Sequence, residues 1–405
     1  MPRSRELCVL YTSNALLMAV SSLTYPIIPL HIVGRGLGAA VAGFVTATSS
    51  FVSLVSQILW GYVGDAIGQR HKVMLIGGIA MVLFSALGFL FAENIYGVAT
   101  VFILLSFGGS AVGVSSYALV ADLSLGDLGK PMGWYWASAS LGWALPLVFA
   151  GYLLKHCGIA SIYLIVLALS LALLALSIHL FISIAPSSNT NTRSGKGFSA
   201  KPFANVLTNV RFLVLYTSSL LFMVGDVVKN VYVPQYYAYV AGLGEEMATA
   251  ILSLASWLEI PTIIAVSRFL HPENTLYIYS SSLASMALYL YTNTFVKSCI
   301  GAALVMAMYS IVWASYITSS SVFIAKVVDA EGRGTAMGLT SSSFALASIA
   351  SNVVLGPAVE VLGYKQLFKV VSATLLITCI ATLVTLRRLQ RRAAEGIIGC
   401  SMSLR

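Results

Sequence analysis

The stretch Gly61-Tyr62-Val63-Gly64-Asp65-Ala66-Ile67-Gly68-Gln69-Arg70-His71-Lys72-Val73-Met74 is a polar island between two long apolar runs, 41–62 and 73–92. A hydrocarbon crossing takes about 20 mainly apolar residues, so each flank is long enough to span a membrane. The island then reads as the loop that turns the chain back. Working outward, the same alternation continues through 7–31, 97–121, 132–153, 161–184, 211–241, 248–267, 275–294, 299–325, 335–362 and 367–386. The chain is therefore expected to be an all-α membrane protein of about twelve transmembrane helices.

Composition agrees. Hydrophobic residues make up 58% of the chain and charged residues 9%, against about 25% charged in a soluble domain. No water-soluble core can hide that much apolar side chain. The first run follows Arg3 and Arg5 as a secretory signal would. It is longer than the apolar segment of about 7 to 15 residues that such signals carry, and it contains Pro26 and Pro29, so it reads as an uncleaved first helix. The five cysteines, Cys8, Cys157, Cys299, Cys379 and Cys400, have neither metal-ligand nor redox spacing. No cofactor and no metal are expected.

Lys and Arg set the orientation, because cationic loops resist translocation. Of the 23 such residues, seventeen fall on the side of the two termini. Arg35, Lys155, Lys297, Lys365 and Lys369 fall on the other side, and Lys229 lies within a run. Both termini are expected in the cytoplasm, with the chain multi-pass in the cell membrane. The net charge of +9 is spread over many loops rather than gathered in a patch, which argues against a nucleic-acid partner. The tail cluster Arg387, Arg388, Arg391 and Arg392 suits a stop-transfer role and contact with anionic lipid.

The longest polar stretch, rich in Ser, Thr, Asn and Gly, follows the sixth run and reads as a flexible linker. The expected organisation is an N-terminal six-helix half (1–185), a cytoplasmic linker (186–210), a C-terminal six-helix half (211–387) and a basic cytoplasmic tail (388–405). Shifting the chain by about 205 residues, without a gap, sets Gly129 on Gly334, Met132-Gly133 on Met337-Gly338, Gly151 on Gly356, Gly158 on Gly363 and Tyr163 on Phe368. The fifth and sixth helices are thus expected to repeat in the eleventh and twelfth. Duplicated halves around a midplane site are a common plan of secondary transporters.

The polar island has the pattern G-x-x-x-D-x-x-G-x-R-x-K, carried by Gly61, Asp65, Gly68, Arg70 and Lys72. It resembles the signature loop of the major facilitator superfamily, at the position where that family carries it, and twelve runs with a central linker extend the resemblance over the whole chain. The resemblance implies the major facilitator fold of two pseudo-symmetric halves. It also implies a cytoplasmic latch, with Asp65 capping a helix of the other half and Arg70 meeting an acid at the end of the fourth helix, where Asp122 stands. Gly61 lets helices approach and Gly68 permits a tight turn. The alternative is that these charges only mark a solvated loop. Two shorter segments, Val233-Pro234-Gln235-Tyr236-Tyr237 and Leu258-Glu259-Ile260-Pro261-Thr262, resemble the sugar efflux transporter group of the superfamily. The fourth helix lacks the arginine usual in the superfamily's drug–proton antiporters, and their fifth-helix Gly-Pro motif is reduced to Gly142, Pro146 and Gly151. Proton-coupled drug export is correspondingly disfavoured.

A charge at bilayer depth costs about 2.5 to 3.5 kcal/mol on insertion scales, so each one needs a partner or a wet cavity. Asp226 and Lys229 are three apart in the seventh helix and share a face with Asn230 close by. They read either as a mutually neutralising structural pair or as a cavity-facing cluster that binds substrate or relays a proton. Glu259 in the eighth helix has no basic residue within a turn. It reads either as a proton carrier or as a brace donating to the carbonyl of Trp257, which Pro261 leaves free. Glu360 is expected to be merely interfacial. Asn14, Tyr232, Gln235 and Trp313 complete the candidate pathway, as rings and amides suited to a sugar-like molecule.

No G-x-x-x-x-G-K-[ST] loop and no H-E-x-x-H occurs, so neither an intrinsic ATPase nor a zinc protease is indicated, and an enzyme is not expected. The expected function is secondary transport of a small organic solute by a monomer, with protons as the coupling-ion candidate and lipid as its surroundings. Export of a sugar-like or amphipathic compound competes with proton-coupled uptake of a sugar or nucleoside. A non-transporting sensor is the weaker alternative, because the linker is too short for an added soluble domain.

Overall fold

The computed structural model describes residues 2–67, 69–123, 129–184, 206, 208–271, 273–328 and 333–402. Most of the expected linker lies outside these residues, as do Gly68 and the side chain of Asp65. The regular structure among the described residues is helical throughout. Helices α1 (Pro2–Thr24) and α2 (Ile27–Gly34) together make the first crossing. They part at Tyr25-Pro26, where Pro26 has no amide hydrogen to continue the ladder. Helices α3 (Ala39–Ile67), α4 (Arg70–Leu90) and α5 (Ile95–Leu123) are the second to fourth crossings.

Helix α6 (Gly129–Ser183) holds the fifth and sixth crossings, joined at Gly158, whose φ of 72° and ψ of 175° break the helix. The seventh crossing begins as α7 (Val210–Val227). It continues through a π turn (Val228–Tyr232), three α-helical residues (Val233–Gln235) and a second π turn (Tyr236–Val240). Helices α8 (Gly244–Phe269), α9 (Thr275–Asn293), α10 (Cys299–Val327), α11 (Arg333–Leu362) and α12 (Tyr364–Met402) follow. Among the described residues ten stretches are long and apolar enough to cross a membrane. One of them, Pro131–Ser183, divides at Gly158, and the serine-rich α9 adds a further helix to the bundle. The expected arrangement of twelve is therefore present.

Helix α12 runs on to Met402, through most of the stretch expected as the basic tail. The reason is local, since Arg, Leu, Gln and Ala are good helix formers and no glycine intervenes before Gly396.

The repeat is written into the backbone. Gly158 and Gly363, paired by the shift of the sequence, both take positive φ, 72° and 76°, a conformation that disfavours any side chain. Their neighbours Tyr163 and Phe368 are both fully buried. Large apolar side chains such as Ile58, Tyr62, Leu90, Ile182, Ile300 and Val361 stand outward and exposed. A surface of that kind suits hydrocarbon rather than water.

Within the first half α1 packs on α6, and α4 and α3 pack on α5; within the second, α8 packs on α10 and α9 on α12. Two seams join the halves, α6 against α8 and α3 against α11.

Candidate functional site

The seventh crossing widens where its charged residues sit. Pro234 cannot donate to the carbonyl of Asn230 four residues earlier, and the chain responds with the π turn Val228–Tyr232, which carries both Lys229 and Asn230. Such π turns concentrate at functional sites. Asp226, Lys229 and Asn230 are all buried, and so is Glu259 on α8.

Asp226 and Lys229 form no ion pair with each other. The amide of Asn230 stands between them: its Nδ2 donates to Asp226 Oδ2 at 3.0 Å, and its Oδ1 accepts from Lys229 Nζ at 3.2 Å. The second carboxylate oxygen of Asp226 accepts from the hydroxyl of Tyr309 on α10. The same tyrosine ring lies beneath the ammonium of Lys229, 4.5 Å from Nζ to the centroid, within cation–π range. The direct structural pair is therefore replaced by a four-residue cluster, with Tyr309 contacting both charges. Glu259 feels the charges of Lys229 and Asp226, yet its carboxyl makes no hydrogen bond among the described residues. In particular it does not brace the carbonyl of Trp257. The kink-side bond belongs instead to Thr262, whose hydroxyl reaches Leu258 O at 2.6 Å.

A second polar network joins the halves. Tyr25 stands at the break in the first crossing, beside Pro26. Its hydroxyl bonds Ser348 Oγ of α11 at 2.9 Å, and Ser348 bonds Ser50 Oγ of α3 at 2.7 Å. Tyr232 donates to Asn352 Oδ1 at 3.0 Å, while Asn352 Nδ2 reaches back to Ser348 O at 2.9 Å. Both halves thus meet in one network of hydroxyls and amides.

From this level to the end of the bundle away from the termini, the seams are closed by polar contacts. Gly151 N donates to Thr249 Oγ1 at 3.0 Å. Glu246, in the first turn of α8, meets Lys155 Nζ at 3.1 Å and His156 Nε2 at 2.6 Å. The hydroxyl of Tyr239 lies between Leu30 O at 3.0 Å and Glu245 Oε1 at 2.6 Å. On the other seam Glu360 Oε1 accepts from Ala40 N at 2.9 Å. Glu360 is therefore more than interfacial, because it caps the first turn of α3, which brings no acid of its own.

The remaining candidates disperse. Asn14 is occupied within the first half, where its Nδ2 donates to Tyr135 O at 2.7 Å. Gln235 is fully buried, with Oε1 accepting from Tyr364 at 3.0 Å and Nε2 without a hydrogen-bond partner among the described residues. Trp313 leans on Phe222 and Tyr316. At the signature loop Arg70 Nη1 meets Asp122 Oδ2 at 2.7 Å, and Lys72 is exposed. This ion pair joins α4 to α5 within one half. Gly61 is not a point of tight approach here, since an added Cβ would meet Val114 only at 3.8 Å. Sequence reading missed Tyr309 as a partner, Asn352, Ser348, and the Glu246 clasp. For the first three, the one signal was being polar in apolar surroundings.

A profile of the Major Facilitator Superfamily matches residues 10–352. No curated protein matches the sequence. Among solved structures, nucleoside transporter NupG is similar at 15% identity and a TM-score of 0.73, covering 94% of this chain and 98% of that one. A POT family transporter in complex with 5-aminolevulinic acid is similar at 13% identity and a TM-score of 0.76, with 94% and 96% covered. The human organic anion transporter MFSD10 is similar at 19% and 0.66, with 95% and 100% covered. At these identities the likeness speaks to the fold alone. With the profile spanning most of the chain and the twelve-helix bundle in place, the chain belongs to the Major Facilitator Superfamily of membrane transporters.

Proposed function

We propose that the chain is a secondary active transporter that exports a sugar-like or amphipathic organic solute by alternating access, as a monomer with both termini in the cytoplasm. One observation carries the reading. The buried charges Asp226, Lys229 and Glu259 stand in a bundle of two halves whose seams are closed by polar contacts at one end. Charges at bilayer depth persist where they serve a pathway, and seams closed at one end suit a site that opens to the cytoplasm in this state. Glu259 carries the coupling proton, because it is the one of these three charges whose side chain makes no hydrogen bond among the described residues.

The test is a proteoliposome flux screen over sugars, nucleosides and cationic drugs, with and without an imposed pH gradient. Glu259→Gln keeps shape and hydrogen bonding while abolishing titration. Accumulation driven by the gradient should fall at least about tenfold while solute exchange survives. A Gln variant that still accumulates solute against its gradient removes Glu259 from the coupling step.

A further inference from the structure

Lys229 is held by less than its neighbour Asp226. Asp226 has both carboxylate oxygens engaged, by Tyr309 and by Asn230. Lys229 is equally buried, 3% exposed, but among the described residues no carboxylate lies in ion-pair distance of its ammonium. Of its three N–H donors one reaches the amide oxygen of Asn230, its own neighbour, and the Tyr309 ring supplies only a face. Two donors and a full charge are left for something else. Asn230 cannot neutralise the ammonium, and its Nδ2 is already spent on Asp226.

A buried cation with spare donors is an expensive arrangement unless a counter-ion arrives. Asp226 shares the field of Lys229 but does not come within ion-pair distance of the ammonium, its oxygens being held by Tyr309 and Asn230. Glu259 feels the charge of Lys229 from outside hydrogen-bond distance, too far to satisfy it. The position is the right one for a ligand, because Lys229 stands on the π turn that also carries Tyr232, and the Tyr232 hydroxyl touches the α3–α11 seam through Asn352. The Tyr309 ring beside it is backed by Tyr289 at a centroid distance of 5.1 Å. Ring walls with one cation suit a ligand that is apolar or sugar-like in body and anionic at one point.

Resting on the transporter reading above, we infer that Lys229 is the recognition point for an anionic group, a carboxylate or a phosphate, on the transported solute. The two spare N–H donors fit two oxygens of such a group, and charge-assisted hydrogen bonds of that kind are among the strong ones.

The test uses matched pairs of probes differing by the anionic group: glucose against glucuronate for a carboxylate, and uridine against uridine 5′-monophosphate for a phosphate. Each is measured on the full chain as a shift in thermal unfolding in detergent and as flux in proteoliposomes. For at least one pair the anion should be preferred by about tenfold or more, the scale of one hydrogen bond to a charged group. Lys229→Gln should erase that preference and Lys229→Arg should retain most of it. The preference in the unaltered chain needs no variant, so misfolding of Lys229→Gln does not protect the assignment. Neutral members accepted as well as their anions would overturn the anion site and leave alternating access standing. An anion preference that survives in Lys229→Gln would move the site elsewhere. Binding of an anion without flux of any probe would support the site and count against transport.

Discussion

The two seams between the halves are related by the repeat but are not built alike. Gly151 on the α6–α8 seam and Gly356 on the α3–α11 seam correspond, as do Lys155 and Glu360 four residues on. On the first seam the helix start brings its own acids, Glu245 and Glu246, and the partner contributes a cation, Lys155. On the second the helix start is Ala39-Ala40-Val41 with no acid, and the partner contributes Glu360. In both places a carboxylate sits at the positive end of a helix dipole. What differs is which half owns it, and the second seam adds the buried Tyr25–Ser348–Ser50 and Tyr232–Asn352 bonds. One seam relies on exposed ion pairs over a close glycine contact, the other on buried neutral bonds under a helix cap.

The largest effect should come from filling the glycines. A Cβ at Gly151 would overlap the carbonyl of Glu245 and come within 2.6 Å of its carbon, both backbone atoms that cannot step aside. At Gly356 the nearest atoms, Ala39 O and Ala40 Cα, stand at 2.9 and 3.0 Å. Gly151→Leu should therefore block closure of the seams and cut flux by roughly a hundredfold, with Gly356→Leu milder, on the scale of overpacking penalties of about 1 to 3 kcal/mol. Flux in proteoliposomes checks the order. Equal losses, or a greater loss at Gly356, would break the asymmetry.

A smaller effect belongs to Asn352, fully buried and bonded to Tyr232 and Ser348. Asn352→Leu leaves the Tyr232 hydroxyl without its acceptor, a cost of about 1 to 3 kcal/mol in a dry site. The closed population should fall about tenfold, seen as faster labelling of a cysteine placed at Ala47 in a background without native cysteines. Unchanged labelling would show that the buried bonds do not hold this seam.

How far the sequence anticipated these features depends on the distance a signal must travel. The crossings, the halves and the 205-residue repeat are legible because hydropathy and glycine placement are written locally, and the repeat led directly to Gly158 and Gly363 with their shared φ. Asp226, Lys229 and Asn230 are legible as a cluster because helical spacing puts them together. Tyr309 is 83 residues from Asp226, and no local periodicity says which ring of α10 turns toward α7. Asp226 and Lys229 meet through Asn230 rather than directly, a detail that spacing of three does not carry because it assumes regular α-helix, whereas Lys229 stands on a π turn. Glu360 was read as interfacial because its partner is a backbone amide 320 residues away, a group no sequence displays.

The smallest expected effect compares Glu246→Gln with Glu360→Gln, and it separates the two kinds of seam contact. Both changes keep an acceptor and remove a charge. Glu246 is solvent-accessible, with Lys155 more so, the side chains being 34% and 56% exposed. Water and salt screen such a pair, so its removal should shift the balance between closed and open seams by no more than about twofold. Glu360 acts on a helix terminus, where the amide of Ala40 loses a charged acceptor but keeps a neutral one, which predicts about twofold to fivefold. Spin labels at Arg35→Cys and Lys297→Cys, one in each half at the sealed end, would report the two populations as two distances. The Glu246 shift should vanish at molar salt, while part of the Glu360 shift should persist, because a hydrogen bond to a backbone amide is directional and the ion pair is not. Adding Asp65→Asn tests the opposite end. If Asp65 caps a helix of the other half when that end is closed, its loss should move the distances back toward the sealed state in either variant. Distances that ignore Asp65→Asn would leave these two outer contacts, and no latch at the signature loop, in control of the equilibrium.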